Sequence, residues 1–334
     1  PGDELPEQQL EPGTIIDGRF FIESHVATGG MGEVYRAEHI ALKRTVAVKV
    51  LRRSLITDPE AWTRFEREAQ LVSRLESPHV VHVFDFGRTD TGQLFLAMEY
   101  VDGETLDVRL GHGPLSPKDA VDILAQVLEG LGEAHALGVV HRDLKPANII
   151  LGKKREGGER AKILDFGIAR LSDKTTGGGK TNRLTQLGVV VGTPAYLSPE
   201  QALADAVDNR TDIYALGCVA FELLTGRPPF VAKELRRVVS AHLHQPPEPL
   251  ATVRPELAQW GLLNDAVAKA LAKEKEKRFQ SVAEFREALL DAIAKPGVAS
   301  ATAVPTDVAE WSEEAPAPLD SSPSAAMPAD DFFA

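Results

Sequence analysis

The sequence predicts an α+β fold arranged in two lobes. Short runs of alternating apolar and polar residues, punctuated by glycine, occupy much of residues 19–101, as is typical of strands. From about residue 117 onward, apolar residues recur at helical spacing. Because a strand-rich part precedes a helix-rich part, the order of elements suggests one lobe of each kind.

The strand-rich part contains several predicted strands and one predicted helix. The first three strands lie in RFFIESHV, EVYRAEHI and RTVAVKVL. The helix is expected over residues 59–76, and further strands near 79–86 and 94–101. In the helix-rich part, the helical segments are DAVDILAQVLEGLGEAHAL, TDIYALGCVAFELLTG, DAVAKALAKEKEKR and VAEFREALLDAIA.

The two ends of the chain differ in composition from its middle. Residues 1–13 are rich in proline, glutamate and glutamine, and residues 296–334 hold seven acidic residues and no lysine or arginine. Such segments lack the apolar content to fold alone, so we expect both to be disordered. The folded domain is then expected over residues 14–295, with lobes at 14–101 and 102–295.

Charge and cysteine content exclude several classes of protein. The net charge of −12 is concentrated at the two ends, and a nearly neutral middle argues against a nucleic-acid-binding surface. The single cysteine, Cys218, excludes an internal disulfide framework and fits a reducing compartment. No apolar run approaches the length of a membrane span, and no signal peptide is visible. We expect a cytoplasmic protein, unless a membrane anchor lies outside these residues.

Two short predicted strands in the second part bring two oxygen-bearing side chains together. Asn148 precedes the apolar strand 149–151, and Asp165 follows the strand 161–164. The polar segment between them contains a Gly-Gly turn, so we expect an antiparallel hairpin. Asn148 and Asp165 would then lie at the same end and could share one hard cation such as Mg²⁺. An Asx turn at each position is the alternative.

A glycine-rich turn separates the first two predicted strands. The segment VATGGMGEVYRA places Gly29, Gly30 and Gly32 in this turn. Backbone amides there can approach a phosphate closely, although most glycine-rich turns are only turns.

The next strand, TVAVKVL, carries a lysine on its apolar face. Alternation places Lys49 on the same side as its apolar neighbours, and lysine is seldom buried without a partner. Glu68 lies within the apolar stripe of the predicted helix, three residues after Phe65. We therefore expect a Lys49–Glu68 pair that leaves Lys49 able to reach a phosphate. The alternative is a lysine that reaches solvent and a glutamate at the border of the stripe.

Together these segments resemble the eukaryotic-type protein kinase family over about residues 18–294. The motifs, in order, are the glycine-rich loop, VAVK, HRDLKPAN, DFG, GTPAYLSPE, RTDIYALG and KRF. The segments GGMGEVYRA and YLSPEQA resemble the corresponding sequences of the bacterial serine/threonine branch of this family. The resemblance implies a two-lobed protein kinase fold, with an antiparallel sheet and one helix in the small lobe and a mostly helical large lobe. It also implies transfer of the γ-phosphate of ATP to Ser and Thr hydroxyls of protein substrates.

The resemblance implies roles for individual residues. Asp143 would accept the proton of the substrate hydroxyl, and Lys145 would steady the γ-phosphate. The catalytic residues would be Asp143, Lys145, Lys49 and Glu68, and the ligands of Mg²⁺, or of Mn²⁺ as the alternative, would be Asn148 and Asp165. The residues that contact ATP would be Val26, Gly29, Gly30, Gly32, Val34, Ala47, Lys49, Met98, Glu99, Val101 and Ile150.

Three further residues match supporting positions of the family. Glu200 and Arg278 resemble a buried ion pair in the large lobe, which we interpret as structural. Asp212 resembles the helix residue that anchors the backbone of the catalytic loop. Ala27 departs from the family, because it stands where the first glycine of the loop usually lies, and we expect weakened nucleotide affinity at most.

The segment between DFG and SPE is the expected site of regulation. In related kinases a phosphothreonine docks against the arginine of HRD, which is Arg142 here, and a phosphate adds nearly two negative charges. Thr185 is our first candidate for phosphorylation and Thr181 the second, and autophosphorylation in trans would involve a transient homodimer. The alternative is that these threonines are only polar loop residues.

Two rival functions use related folds. A pseudokinase would have lost Lys49, Asp143 or Asp165, and all three are present. A small-molecule phosphotransferase should lack the GTPAYLSPE segment, which shapes a peptide-binding surface. The sequence therefore favours an active serine/threonine protein kinase.

Closely spaced histidines are the remaining candidates for a site. His79 and His82, and also His242 and His244, have the short spacing of metal ligands. Neither pair has cysteines or further ligands nearby in the sequence, so we interpret both pairs as structural. Cys218 lies in an apolar helical segment and is expected in the core.

Overall fold

The computed structural model describes residues 9–53, 61–153, 157–166 and 194–297. The strands are β1 Ile15–Ile16, β2 Phe20–Gly29, β3 Gly32–His39, β4 Arg44–Leu51, β5 Val83–Arg88, β6 Leu94–Glu99, β7 Gly103–Thr105, β8 Ile149–Lys153 and β9 Glu159–Ile163. The helices are α1 Ala61–Val72, α2 Leu106–Leu110, α3 Pro117–Ala136, α4 Pro199–Ala202, α5 Asn209–Thr225, α6 Leu235–His244, α7 Leu250–Val253, α8 Gly261–Ala270 and α9 Val282–Ala294. The predicted α+β fold, with strands before helices, is confirmed.

The small lobe is one antiparallel sheet with the strand order β1-β2-β3-β4-β6-β5. Strand β4 separates two hydrophobic clusters, because successive side chains point to opposite faces. Val48 belongs to the cluster on one face, and Ala47 and Leu51 belong to the cluster on the other. The second face is also the face covered by α1, whose predicted apolar stripe is buried at Phe65 and Ala69.

The large lobe packs its helices around α3 and α5. Helix α3 begins at the N-cap Ser116, which accepts a hydrogen bond from the Asp119 backbone N–H. Helix α5 begins after Asp208, which caps it in the same way, and ends at Gly226 in the left-handed conformation (φ 83°). Most of α5 is buried, so this helix forms the centre of the lobe.

The first described residues pack on the small lobe. The Leu10 N–H donates to the Tyr35 hydroxyl (3.0 Å), and the Gly13 N–H donates to the Ile22 carbonyl (2.9 Å). Residues 9–13, which we expected to belong to a disordered lead, therefore make defined contacts. Residues 1–8 and the expected tail beyond residue 297 lie outside the described part of the chain.

No helix within the described residues is both long enough and apolar enough to cross a bilayer.

Candidate active site

The loop between α3 and β8 gathers two of the predicted catalytic side chains and one predicted metal ligand. Lys145 Nζ lies 2.9 Å from Asp143 Oδ2, and Asn148 Nδ2 donates to Asp143 Oδ2 at 3.2 Å. Asn148 Nδ2 also donates to the Asp143 backbone carbonyl at 2.7 Å. The loop therefore holds one carboxylate between an ammonium and an amide, with both partners donating to it.

A buried carboxylate fixes the backbone of this loop. Asp212, near the start of α5, is fully buried, and its two oxygens accept from the backbone N–H groups of His141 (2.9 Å) and Arg142 (2.8 Å). Arg142 adopts a positive φ of 67°, a conformation that costs energy for any residue with a Cβ. The Gln201 side chain also donates to the Arg142 carbonyl at 2.7 Å. The predicted anchoring by Asp212 is thus present in the geometry.

His141 joins the same loop to the end of β9. Its Nε2 lies 2.8 Å from the Leu164 carbonyl, which can only accept, so this nitrogen carries the proton. The other ring nitrogen, Nδ1, is then free to accept from the Asp143 backbone N–H at 3.3 Å. The His141 ring also packs on Phe166, with 4.9 Å between ring centroids. The loop that carries Asp143 is therefore linked directly to the segment that carries Asp165.

The predicted hairpin brings Asn148 and Asp165 to one end, as expected. Strands β8 and β9 pair antiparallel, with Ile149 opposite Ile163. The Leu164 N–H donates to the Asn148 carbonyl at 2.9 Å, which extends the pairing by one step. Asp165 follows with a positive φ of 53°.

These two side chains suit a hard divalent cation. Because Asn148 Nδ2 is engaged by Asp143, the amide oxygen is the atom left to face a ligand. An amide oxygen and the Asp165 carboxylate form a small oxygen donor set, and Mg²⁺ usually completes such a set with phosphates and water. Among the residues described, no cluster of three or more His, Cys, Asp or Glu side chains forms an alternative metal site.

The glycine-rich segment forms a tight hairpin turn. Gly29 pairs with Gly32 at the end of β2 and β3, so Gly30 and Met31 make the turn. A Cβ on Gly32 would lie 2.0 Å from the Val50 carbonyl oxygen, which no side chain can tolerate. Gly32 is therefore required by the close approach of β3 to β4.

Most predicted ATP-contacting side chains of the sheet share one face. Lys49 pairs directly with Val34, and Ala47 pairs with Met98, and directly opposed residues in an antiparallel sheet point the same way. Ala47 and Met98 are buried, whereas Val26, before the turn, is 50% exposed. Ile150 is half-buried on β8 in the other lobe, beyond the short connection that begins at Glu99.

The connection between the lobes is braced at its first residue. Lys162 Nζ lies 2.7 Å from Glu99 Oε2, and the Glu99 N–H donates to the His82 carbonyl at 2.8 Å. Val101 lies against β8, because a Cβ built on Gly152 would come within 2.7 Å of its side chain. The segment from Glu99 to Val101, whose ends we predicted to contact ATP, is thus tied to β9, the strand that leads to Asp165.

The expected Lys49–Glu68 pair is not formed in this structure. Lys49 is buried as predicted, but its Nζ lies 2.8 Å from Asp165 Oδ2. Glu68 Oε2 is buried and has no hydrogen-bond partner among the described residues. Burial raises the pKa of Glu68, and the charges of Arg142 and Arg64 offset this only in part. The pairing prediction was wrong for this conformation, because a second carboxylate competes for the same ammonium.

The second predicted ion pair is fully formed. Arg278 donates through two nitrogens to the two oxygens of Glu200, both at 2.8 Å. Thr211 adds a further donor to Glu200 at 2.7 Å, and Arg278 also binds backbone carbonyls. Both side chains are buried, so the structural interpretation of this pair agrees with the geometry.

Of the three residues predicted to take part in regulation, the structure describes only Arg142. Arg142 is exposed beside the catalytic loop. Thr181 and Thr185 lie outside the described residues, as do the other threonines between DFG and SPE.

The ring hydrogen bonds of His79, His82 and His242 are with backbone carbonyls or a tyrosine rather than with further metal ligands. His79 Nδ1 bonds the Ala161 carbonyl (2.9 Å), and His82 Nδ1 lies 3.4 Å from the Leu75 carbonyl. His242 is buried against Tyr214, and His244 is exposed on the same helix. Cys218 is fully buried in α5, and burial raises the pKa of its thiol far above the ordinary value.

Some supporting residues were not found from the sequence. His135 Nε2 lies 2.8 Å from Asp212 Oδ2, and Gln201 reaches the Arg142 carbonyl across the fold. Both contacts join residues at least 59 positions apart, so no local pattern could indicate them.

Comparison with known proteins gives consistent matches. The model of the protein kinase domain family matches residues 20–290. The chain is 42% identical over 275 residues to the serine/threonine-protein kinase pkn2 of Myxococcus xanthus, covering 82% of this chain. It is 43% identical over 284 residues to the serine/threonine-protein kinase PknB of Mycolicibacterium smegmatis. Among solved structures, the kinase domain of Mycobacterium tuberculosis PknI matches with a TM-score of 0.66 and 31% identity, over 85% of this chain and 100% of that one.

The two curated relatives are longer than the region that matches this chain. The chain covers 32% of the Myxococcus kinase and 43% of the Mycolicibacterium kinase. It therefore spans about a third of the first kinase and less than half of the second.

Proposed function

Because the chain belongs to the protein kinase family, we propose that it transfers the γ-phosphate of ATP to Ser and Thr hydroxyls of protein substrates. The observation that carries the proposal is the arrangement of Asp143, Lys145 and Asn148 on a loop whose backbone Asp212 fixes. Phosphoryl transfer depends on positioning and electrostatic stabilisation, and a rigid loop of this composition supplies both.

Each group of the loop has a distinct part in the proposed reaction. Asp143 accepts the proton of the substrate hydroxyl and orients its oxygen toward the phosphorus. Lys145, 2.9 Å from Asp143, neutralises charge on the γ-phosphate as it is transferred. Lys145 and Asn148 both donate to the Asp143 carboxylate, which fixes its position beside the proposed site of the substrate hydroxyl.

Family membership implies ATP and a divalent cation, and we propose Mg²⁺ with Asn148 and Asp165 as its protein ligands. Such an ion, held by these two residues, would supply positive charge against the phosphates of the nucleotide. The residues of the chain hold that arrangement in place: the turn from Gly29 to Gly32 offers backbone amides, and Lys49 offers an ammonium.

Lys49 changes partner in the proposed working state. Asp165 would hold a cation through the oxygens that now contact Lys49, and Lys49 could then pair with Glu68 and with the nucleotide phosphates. Asp165 already contacts Lys49, and Glu68 belongs to α1, the helix that packs against the face of β4 on which Lys49 lies. The exchange satisfies the buried Glu68 oxygen, which has no hydrogen-bond partner in the described part of the chain.

Regulation by autophosphorylation belongs to the same proposal. Phosphate on Thr185, or on Thr181, would pair with the exposed Arg142 beside the catalytic loop. A transient homodimer would let one copy phosphorylate the other. Mass spectrometry after incubation with ATP should find phosphate between residues 175 and 185, and an unmodified segment in a fully active enzyme would remove this part of the proposal.

The activity itself is tested with labelled ATP, Mg²⁺ and dephosphorylated casein. Wild type should transfer label to the protein, and Asp143→Asn should lower kcat by on the order of 10² or more, because the loop offers no other base. ATP binding should survive in Asp143→Asn. A variant that keeps near wild-type turnover would contradict the assignment of Asp143, and an inactive wild type would favour a binding or scaffold module.

A further inference from the structure

The turn at the tip of the β2–β3 hairpin contacts Arg52, the residue that follows β4. The Arg52 backbone N–H donates to the Met31 carbonyl at 3.0 Å, and its Nη2 donates to the Gly29 carbonyl at 3.0 Å. Gly30 and Met31 make the turn, so these two carbonyls belong to the peptide groups that enter it and leave it. One residue therefore contacts the turn at both of its ends.

The two contacts differ in what they connect. The backbone contact continues the pairing of β3 with β4, in which Gly32 lies opposite Leu51, and any residue with a backbone N–H could make it. The side-chain contact reaches further, because β3 separates β2 from β4 in the sheet and Gly29 is the last residue of β2. The Arg52 guanidinium thus ties the end of β2 to the end of β4, through a hydrogen bond whose donor is charged.

The hairpin just below the turn is braced by its own residues. Thr28 pairs with Glu33, and the Thr28 hydroxyl donates to Glu33 Oε2 at 2.6 Å. His25 Nε2 lies 2.6 Å from the same oxygen. These contacts join β2 to β3 and stiffen the hairpin, but they do not reach the peptide groups of the turn itself. The Arg52 side chain does reach them, at Gly29.

The Gly29 carbonyl belongs to the peptide group that also carries the Gly30 N–H. The described residues contain no cis peptide bonds, and in a planar trans peptide the C=O and the N–H point in opposite directions. A Cβ built on Gly30 would meet no atom within 4 Å, so close packing does not hold this residue. The hydrogen bond from Arg52 sets the orientation of the peptide group instead, and it turns the Gly30 N–H away from the guanidinium.

We propose that Arg52 is a positioning residue for ATP: its guanidinium fixes the peptide group between Gly29 and Gly30, so that the Gly30 N–H is already oriented to donate to a phosphate oxygen. A donor that is oriented before binding loses less conformational entropy when the ligand arrives, which favours affinity. The proposal rests on the proposed function, because the orientation of this N–H matters only if the turn holds the phosphates of ATP.

Two probes separate the phosphates from the rest of the nucleotide: ATP with Mg²⁺, and adenosine, which carries no phosphate. Arg52→Met removes the side-chain contact and keeps the backbone contact. We expect its Kd for ATP, measured by calorimetry, to rise about three- to tenfold, and its Kd for adenosine to stay within about twofold of wild type, because the lost hydrogen bond acts only on phosphate binding. Arg52→Lys, which keeps a charged donor, should recover part of the affinity for ATP.

The matched control is the same substitution at the next residue. Arg53 is exposed, and its guanidinium contacts the Thr91 carbonyl, in the β5–β6 connection, at 3.5 Å. Arg53→Met removes a positive charge next to Arg52 and leaves the contact with Gly29 in place. It should change neither Kd.

A second measurement follows the turn itself in the ligand-free protein. In protein labelled with ¹⁵N-glycine, the backbone order parameter of Gly30 should be lower in Arg52→Met than in wild type, because the peptide group has lost its hydrogen bond. Gly92, in the β5–β6 connection, is the internal reference, and its order parameter should stay the same.

Three results in folded Arg52→Met would overturn the proposal. An unchanged Kd for ATP is the first, and equal rises in both Kd values, which indicate a purely structural role, are the second. The third is a weaker Kd for ATP with an unchanged order parameter at Gly30, because the guanidinium would then act on the phosphates by its charge alone.

If Arg52→Met does not fold, Arg52→Gln decides by the same two measurements: a selective rise in the Kd for ATP with a lower order parameter at Gly30 supports the proposal, and any other result overturns it. Failure of the proposed function looks different, because wild type itself would then bind ATP no more tightly than adenosine.

Discussion

Glu200 in the large lobe and Glu68 in the small lobe are two helical carboxylates for which a basic partner was expected. Glu200 has that partner, since Arg278 contacts both of its oxygens at 2.8 Å. Glu68 does not, since its Oε2 is buried without a hydrogen bond and Lys49 contacts Asp165 instead. We call Glu200–Arg278 the closed pair, because it is formed, and Lys49–Glu68 the open pair, because it is not formed in this structure.

The surroundings of the two carboxylates act on their pKa values in opposite directions. Burial alone would raise the pKa of Glu200, but Arg278 and Thr211 outweigh burial and hold the pKa below its ordinary value. Burial raises the pKa of Glu68, and Arg142 and Arg64 only reduce that rise. Glu200 is thus stabilised as an anion by its neighbours, whereas the ionised form of Glu68 is disfavoured.

The two carboxylates differ in how many charged partners compete, and this difference separates a structural ion pair from one proposed to take part in function. Glu200 and Arg278 are both buried in one lobe, and within the described part of the chain neither forms an ion pair with a second residue. Lys49 contacts Asp165 and lies on the face of β4 that the helix of Glu68 covers, and we propose that its partner changes when Asp165 binds a cation. A buried charge with two possible partners can exchange one for the other when a ligand binds. A buried charge with a single partner stabilises the folded state only while that partner is present.

The largest effect should come from breaking the closed pair. Arg278→Met should lower the free energy of unfolding by about 3–5 kcal/mol, because it leaves Glu200 buried without its cation. Arg286→Met is the matched control, since Arg286 contacts Glu129 at 3.4 Å on the exposed surface, and exposed pairs contribute at most about 1 kcal/mol. Denaturant unfolding of both variants measures the contrast, and similar losses would remove the distinction between the two glutamates.

Removing the charge of the open carboxylate should have the opposite sign. Glu68→Gln should raise the free energy of unfolding by about 1 kcal/mol at neutral pH, because it replaces a disfavoured buried anion by a neutral amide. The same variant should lose activity, since Lys49 loses its partner in the working state. Glu66→Gln, on the same helix, is the control, and a clear loss of stability in Glu68→Gln alone would contradict the open pair.

A smaller effect should appear in the pH dependence of stability. Glu200 has a lowered folded pKa, so its contribution is complete above the unfolded value of 4.5 and is lost as pH falls through the folded value. Glu68 has a raised folded pKa, so stability is lost as pH rises from 4.5 through the folded value. Unfolding of wild type and Glu68→Gln between pH 4 and 8 should therefore show the variant gaining on wild type as pH rises, and parallel curves would contradict this.

Much of the architecture follows from local patterns. Alternation in β4 correctly put Lys49 on the face of Ala47 and Leu51, and helical spacing correctly identified the stripe of α1. The Gly-Gly turn and its flanking apolar runs correctly gave the β8–β9 hairpin, which brings Asn148 and Asp165 to one end. These features depend on residues close in sequence, which is why they could be predicted.

The partner of Lys49 could not be predicted in the same way. A pattern shows that Lys49 needs an anion, but Glu68 and Asp165 both satisfy that need, and their order of preference depends on the distance between elements. The contacts of Leu10 and Gly13 with the sheet were missed for a related reason, because composition averages over a segment and cannot detect single anchoring bonds. Long-range contacts such as Gln201 with Arg142 leave no local signal at all.

The most direct test of the partner exchange is a double-mutant cycle with Lys49→Met and Glu68→Gln, measured twice, once as kcat/KM for phosphorylation and once as the free energy of unfolding. In activity the two losses should be strongly non-additive, because Lys49 and Glu68 act as a pair in the working state. In the stability of the ligand-free protein they should be additive to within about 0.5 kcal/mol, because Lys49 contacts Asp165 there. Additive losses of activity, or a coupling in stability well above that limit, would contradict the exchange of partners.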